Sequence, residues 1–274
     1  MVKEKLQFGD LRIEGISRAG EETWFRVRPP GIAFDTGRGA VQLSGVADIF
    51  LTHGHLDHAL GLPFLLSQRA AHGSGPTRIF APAPVVEPLN GLIAAAEARE
   101  EGDYDYKLEP LEPGAQVGVG KNLTIEAFAT DHVTPSLGYH LLRAKSRLRD
   151  EFQDRSGAEL ADLRRSGIDI EREEIEIWLS YCGDTGPGVF DLDPRVFESS
   201  VLLLECTFFD EDSIGRAREF KHMHLDDLVE RAGSFRNQDL VLHHLSRRYR
   251  CSELLEWLGS RLELPNTRVQ LFGC

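Results

Sequence analysis

The sequence predicts an α/β fold in which two β-sheets pack face to face with helices on the outside. Three observations lead there. A strand-rich opening is followed by strands that alternate with helices, and a comparable second half repeats that order. Hydrophobic residues make up 41% of 274, enough for a packed core and too many for a disordered chain. No internal repeat, low-complexity tract or linker divides the sequence, so residues 1–274 read as one domain.

In order, Leu11 to Ser17, Thr23 to Arg28 and Ile32 to Asp35 are short strand-forming runs, punctuated by Gly20-Glu21, Pro29-Pro30-Gly31 and Gly37. Asp48 to Thr52 is a short apolar run with β-branched residues, and it ends in a histidine cluster. Ala59 to Ala70 then has helical spacing, with Leu60, Phe64 and Leu65 in register. Ile79-Phe80-Ala81 and the alanine-rich stretch from Val85 to Arg99 form a second strand–helix unit. Strands resume at Gln116 to Val119, Leu123 to Ala129 and Leu137 to Leu142. Residues 143–174 are highly charged, with a basic cluster at Arg143, Lys145, Arg147 and Arg149 and helical spacing around Leu160 and Leu163. This segment reads as an arm-like surface insertion, with a solvated helix face as its simplest form. Strand-like Ile175 to Tyr181, Val201 to Leu204 and Leu240 to Leu242 follow, alternating with helical stretches at Leu225 to Phe235 and Ser252 to Leu262.

Charge and cysteine usage exclude several classes. Lysine and arginine total 31 against 44 acids, a formal charge of −13, so a general basic coat for nucleic acid is absent. Any contact with phosphate must come from a local patch or from metal ions. Cys182, Cys206, Cys251 and Cys274 stand far apart and form no C-x-x-C pair, which speaks against a zinc knuckle or a thioredoxin-type motif. The charged start, Met1 to Lys5, has no apolar stretch behind it, and the greasiest run, Val201 to Phe209, is interrupted by Glu205 and too short to span a bilayer. A reduced, soluble, cytoplasmic chain without membrane contact is the expectation.

The strongest chemical signal is Thr52-His53-Gly54-His55-Leu56-Asp57-His58. Four candidate ligands fall within six residues, directly after a buried strand, in a turn that glycine allows to bend sharply. Imidazole and carboxylate are donors that zinc and similar divalent ions prefer. One ion rarely needs so many ligands from one short loop, whereas two adjacent ions use them: His53 and His55 point one way, Asp57 and His58 another. The competing reading is a chance histidine-rich surface turn, which so tight a cluster among ten histidines makes improbable. Two ions need further ligands at later strand ends, and His132, Asp184 and one of His243 or His244 stand there. Each alone could be a turn or strand-end polar residue; their force lies in the set. A carboxylate at Asp184 can bridge two ions because its oxygens bind separately.

These motifs resemble the metallo-β-lactamase superfamily, and within it the tRNase Z (ribonuclease Z) family of tRNA 3′-processing endonucleases. The resemblance runs from Phe34-Asp35-Thr36-Gly37 through the His-x-His-x-Asp-His loop, His132 to Tyr139 and Gly183-Asp184-Thr185. It continues through Glu205-Cys206-Thr207 and Lys221-His222 to His244-Leu245-Ser246-Arg247-Arg248-Tyr249. It implies an αββα sandwich of two mixed sheets. It also implies two divalent ions, zinc in the first instance with manganese or iron as alternatives. His53, His55 and His132 would hold one, Asp57, His58 and His244 the other, and Asp184 would bridge. The family register to Ser246 and Tyr249 selects His244 over His243. Asp35 would support the metal loop, and Asp57 would also orient or deprotonate the attacking water. His222, oriented by Glu205, would protonate the leaving oxygen, with His224 as the competing candidate.

The implied activity is hydrolysis of a phosphodiester by a metal-activated water, with precursor tRNA as substrate and a homodimer as the working form. The interval His140 to Cys182 is compact and lacks the Gly-Pro motif by which bacterial members grip the tRNA elbow. A small substrate, such as a cyclic nucleotide or another small phosphodiester or ester, is therefore the alternative. A non-catalytic member that binds RNA or protein ranks last, because every expected ligand is present.

Overall fold

The computed structural model describes residues 3–274. The first sheet comprises β1 (Glu4–Phe8), β2 (Leu11–Arg18), β3 (Glu22–Arg28), β4 (Ile32–Phe34), β5 (Asp48–Phe50), β6 (Thr77–Pro82) and β7 (Tyr106–Leu111), side by side in chain order. The second comprises β8 (Gln116–Gly120), β9 (Leu123–Ala129), β10 (Leu137–Leu148), β11 (Glu171–Tyr181), β12 (Val201–Glu205), β13 (Asp239–His243) and β14 (Arg268–Leu271), also in chain order. Both are mixed in the same way. β1 to β4 pair antiparallel and β4 to β7 parallel; β8 to β11 pair antiparallel and β11 to β14 parallel.

Parallel neighbours need crossovers, and here they are helical. In the first half these are α1 (Leu56–Ala59), α2 (Leu62–Ala71) and α3 (Val86–Glu100). In the second half, beyond α4 (Gly157–Arg165), they are α5 (Val189–Leu192), α6 (Ile214–Phe220), α7 (Leu225–Glu230) and α8 (Cys251–Arg261). The layers follow from where the apolar residues fall. Phe25, Phe34 and Phe50 meet Tyr139, Tyr181 and Leu203 between the sheets. On one outer face Leu62, Leu65 and Ile93 cover Ile49 and Ile79; on the other Leu225, Leu228 and Leu254 cover Leu202, Leu204 and Leu240. β12 is buried along its whole length because helices and the facing sheet enclose it on both sides. The predicted two-sheet α/β architecture is the one observed.

Three strands escaped the sequence reading: β1, β7 and β14. All lie at sheet edges, where one side of the strand faces solvent and tolerates charges and Pro110. The short helices α5 and α6 were missed too.

The charged segment 143–174 differs from the solvated helix face expected of it. Residues 143–148 continue β10 and pair with β11, Arg143 opposite Glu176 and Lys145 opposite Glu174. The last β9 partner of β10 is Arg143, and β12 joins β11 only from Leu179. The ends of β10 and β11 therefore have only each other as sheet neighbours and form a two-stranded ribbon. α4 follows β10 through a capping box in which Ser156 accepts from the Glu159 N–H. Cross-strand charge pairing accounts for the ribbon: Arg143 and Lys145 share Glu176, and Arg147 meets Glu174.

The expectation of four separate thiols holds for buried Cys182 and Cys206. It fails for Cys251 and Cys274, which form a disulfide with Cα atoms 5.4 Å apart. The fold brings the start of α8 to the end of the described chain, a proximity that spacing along the sequence does not reveal. Among the described residues no helix is long and apolar enough to cross a membrane.

Candidate metal centre

Parallel strands of both sheets end on the same side of the sandwich, and the chemistry-bearing residues stand just beyond those ends. β5 leads into the 53–58 loop, β9 into His132, β11 into Asp184 and β13 into His244. Glu205 is the last residue of β12, and His222 lies between α6 and α7. One close approach depends on glycine: Gly183 has φ +62, and a Cβ there would meet Thr52 at 2.8 Å. The loop carrying Asp184 can thus lie against the loop carrying His53.

His53, His55, Asp57, His58, His132, Asp184, His244 and His222 all stand in this cluster. Donor atoms of His53, His55, His132 and Asp184 lie within 4.8 Å of one another, as do those of Asp57, His58 and His244. Asp184 sits between the two groups. Its Oδ1 is 3.3 Å from His58 Nε2, and its Oδ2 is 3.4 Å from His244 Nε2 and 3.8 Å from His53 Nε2. His132 Nε2 and His55 Nδ1 approach to 3.4 Å, and Asp57 Oδ2 is 3.6 Å from His244 Nε2 and 3.8 Å from His58 Nε2. Asp184, His222 and His244 form a third close group.

Four of these atoms are buried with no hydrogen-bond partner: Nε2 of His53, His58 and His244, and Oδ1 of Asp184. Leaving such groups unsatisfied costs about 1–3 kcal/mol each, so their convergence calls for a cation. Three imidazole nitrogens beside a carboxylate are a donor set that suits zinc and its neighbours. The residues present fit divalent ions.

Two buried carboxylates fix the imidazoles. Asp35 accepts from His58 Nδ1 at 2.8 Å, from the Thr52 N–H at 2.8 Å and from the Tyr181 hydroxyl at 2.6 Å. The Thr52 hydroxyl, 3.0 Å from Asp35, can only donate to it, so its lone pair receives the Nδ1–H of His53 at 2.9 Å. Glu205 is wired alike. It accepts from His222 Nδ1 at 2.6 Å and from the Thr207 hydroxyl at 2.6 Å, and Thr207 lies 3.0 Å from His244 Nδ1. Protons held on Nδ1 leave Nε2 free to act as a ligand or, when also protonated, as a donor. Asp35, Lys221 and His244 take left-handed φ values of 56°, 51° and 56° despite their side chains, strain of the kind that collects at functional sites.

Electrostatics differ around the ring. Burial holds His53 well below the usual imidazole range, and His132 lower too. His58 is equally buried, but the Asp184 and Asp35 carboxylates outweigh that cost and raise it well above 6.5. For His222, burial again opposes the charge, yet Glu205 pushes it up to about 9. Nearby dications act in the opposite sense.

Two of the candidate histidines lie away from the cluster. His243 points away into the core, with Nδ1 3.2 Å from Ser17 Oγ and its ring against Phe25. His224 is buried at the start of α7, where Nδ1 accepts from the Asp226 N–H and Nε2 meets the Asp210 carbonyl. Sequence reasoning gave no role to Tyr181, Thr52 or Thr207, nor to Thr185, whose N–H donates to Glu205 at 2.9 Å. Each threonine lies inside a motif quoted for its charged neighbour, and that adjacency was the available signal.

The beta-lactamase superfamily domain matches residues 37–245. The tRNase Z TRZ1 of Arabidopsis thaliana is 31% identical over 255 residues, which is 92% of this chain and 91% of that protein. The metallo-beta-lactamase fold protein YhfI from Bacillus subtilis has the same fold, with a TM-score of 0.65 at 13% identity and 95% of each chain covered. The short form of human tRNase Z aligns with a TM-score of 0.56 at 20% identity, over 94% of this chain and 88% of that one. The chain belongs to the beta-lactamase superfamily and, within it, to the tRNase Z family.

Proposed function

We propose that this protein is a dinuclear, zinc-dependent endoribonuclease that removes 3′ trailers from precursor tRNA. The observation that carries the reading is the convergence of unpartnered Nε2 atoms and Asp184 beside the His222–Glu205 pair. Family membership makes it a metal-dependent hydrolase and favours RNA as the substrate. In this reading His53, His55 and His132 would hold one ion, Asp57, His58 and His244 the second, and Asp184, which stands between the two groups, would serve both. Bound ions would lower the pKa of a water and offset negative charge at the phosphate. The Asp57 carboxylate, which accepts from the Gly20 N–H at 3.0 Å, would be the group that orients the attacking water and accepts its proton. His222, its ring fixed by Glu205, donates a proton to the leaving oxygen. A cytoplasmic homodimer is part of the same proposal.

A second reading, a small phosphodiester or ester as substrate, is favoured by the ribbon. β10 runs away from the centre, so Leu148 lies about 36 Å along the strand from Leu137 at ~3.3 Å per residue. Residues 143–174 carry eight basic and nine acidic side chains, a net of −1. The deciding experiment pairs a precursor tRNA bearing a 3′ trailer with bis(4-nitrophenyl) phosphate, using metal-loaded protein and Asp184→Ala as control. Cleavage at the trailer junction supports the first reading. Turnover of the small diester alone overturns it in favour of the second.

A further inference from the structure

The helices over the first sheet bury Trp24, Ala33, Ile49 and Ile79 but leave the outward side chains of β1, β2 and the end of β3 uncovered. Apart from Gln7, Glu14 and Ile16, those side chains are cationic. Lys5, Arg12 and Arg28 are exposed, and Lys3 and Arg26 half-buried. The register places Lys5 opposite Glu14, Glu14 opposite Arg26, and Arg12 directly opposite Arg28. Glu14 is the one carboxylate that reaches them among the described residues, at 2.9 Å from Lys3, 3.6 Å from Arg26 and 3.7 Å from Arg28. Five cations therefore surround one anion in a chain of net charge −13. Lys5, Arg12, Glu14, Arg26 and Arg28 line a shallow cavity of about 320 Å³, and Arg26 Nε is buried there without a partner.

Like charges facing each other across strands destabilise a sheet. The ribbon also sets two cations face to face, Arg147 and Arg172, but each has its own carboxylate, Glu174 and Asp150, whereas β2 and β3 set Arg12 against Arg28 with only Glu14, 3.7 Å from Arg28, in reach. We propose that this face is a docking surface for the phosphate backbone of RNA, which rests on the reading of RNA as the substrate. Three strands at ~4.8 Å spacing spread the cations about 10 Å across, a fit to a run of phosphates rather than one small anion. From Arg12 the strand runs to Arg18, roughly 20 Å at ~3.3 Å per residue, and the following turn bonds Asp57 through Gly20. A structured RNA cut at the metal centre spans that distance; a small diester does not.

The test is the triple variant Lys5→Glu/Arg12→Glu/Arg28→Glu, with Lys5→Gln/Arg12→Gln/Arg28→Gln as a gentler second variant should the first not fold. Fluorescence anisotropy with labelled tRNA is measured across a salt series, beside turnover of bis(4-nitrophenyl) phosphate. The proposal expects tRNA Kd to rise roughly tenfold or more and the slope of log K against log salt to shrink by about three, one per cation lost. Diester turnover stays unchanged. Unaltered Kd and slope overturn it, as does wild-type protein that binds anionic phosphatidylserine vesicles and no tRNA. Patch-dependent tRNA binding by a protein that cleaves no precursor tRNA sustains the docking surface while the endonuclease reading fails.

Discussion

Asp35 follows β4 in the first sheet and Glu205 ends β12 in the second, and each holds two histidines, one directly and one through a threonine. Asp35 holds His58 and, through Thr52, His53; Glu205 holds His222 and, through Thr207, His244. The difference lies in the directly held ring. The His58 side chain is fully buried and its Nε2 lies 3.3 Å from Asp184 with no hydrogen-bond partner. His222 keeps 15% of its side chain exposed, and its Nε2 is not among the buried unpartnered atoms. The same wiring thus serves a ring enclosed among donor atoms on one side and a ring open to an incoming group on the other. In the proposed mechanism, solvent access and not the carboxylate would separate the ligand His58 from the proton donor His222.

The comparison can be broken in three places. Asp184 stands between both halves, and Asp184→Ala should have the largest effect. Its loss removes several kcal/mol of charge stabilisation, about 10³-fold or more in kcat, with bound metal falling in elemental analysis. Retention of two metals per chain together with full activity would overturn its bridging role.

The next pair separates the two rings. His58→Ala should lose metal. His222→Ala should keep it, slow RNA cleavage by about 10²–10⁴-fold and spare an aryl diester whose leaving group needs no proton. Equal metal loss in both variants would make His222 a ligand and erase the distinction drawn above. Smaller effects are expected at the relays, where Thr52→Val and Thr207→Val should each weaken metal affinity about 10–100-fold. Competition against a fluorescent chelator reads this directly, and an affinity equal to wild type in both would show that the rings need no such support.

Legibility varied with burial. Strands covered on both faces, such as β5 and β12, are short apolar runs and stood out in the sequence. β1, β7 and β14 lie at edges, and their mixed polar character concealed them. The ribbon misled for a related reason. Its charges look like a helix surface when read along one strand, and only the partner strand brings Glu176 and Glu174 to Arg143, Lys145 and Arg147. At the site, the candidate ligands are legible because few folds have another use for His53, His55, Asp57 and His58 in one loop. Tyr181 is not, since a tyrosine ending an apolar strand is as compatible with plain packing as with its bond to Asp35.

By itself, the sequence determined the layered α/β architecture, the set of metal-type side chains and their placement after strands. Apolar periodicity and donor chemistry are local properties that survive without coordinates. The tertiary structure decided which atoms meet. It turned His244 to the centre and His243 to the core, tied His58 to Asp35 and His222 to Glu205, joined Cys251 to Cys274 and gathered Lys5, Arg12, Arg26 and Arg28 from three strands, with Lys3 beside them, onto one face. Each of those outcomes depends on the register and facing of elements distant in sequence, which long-range packing sets and local pattern does not record.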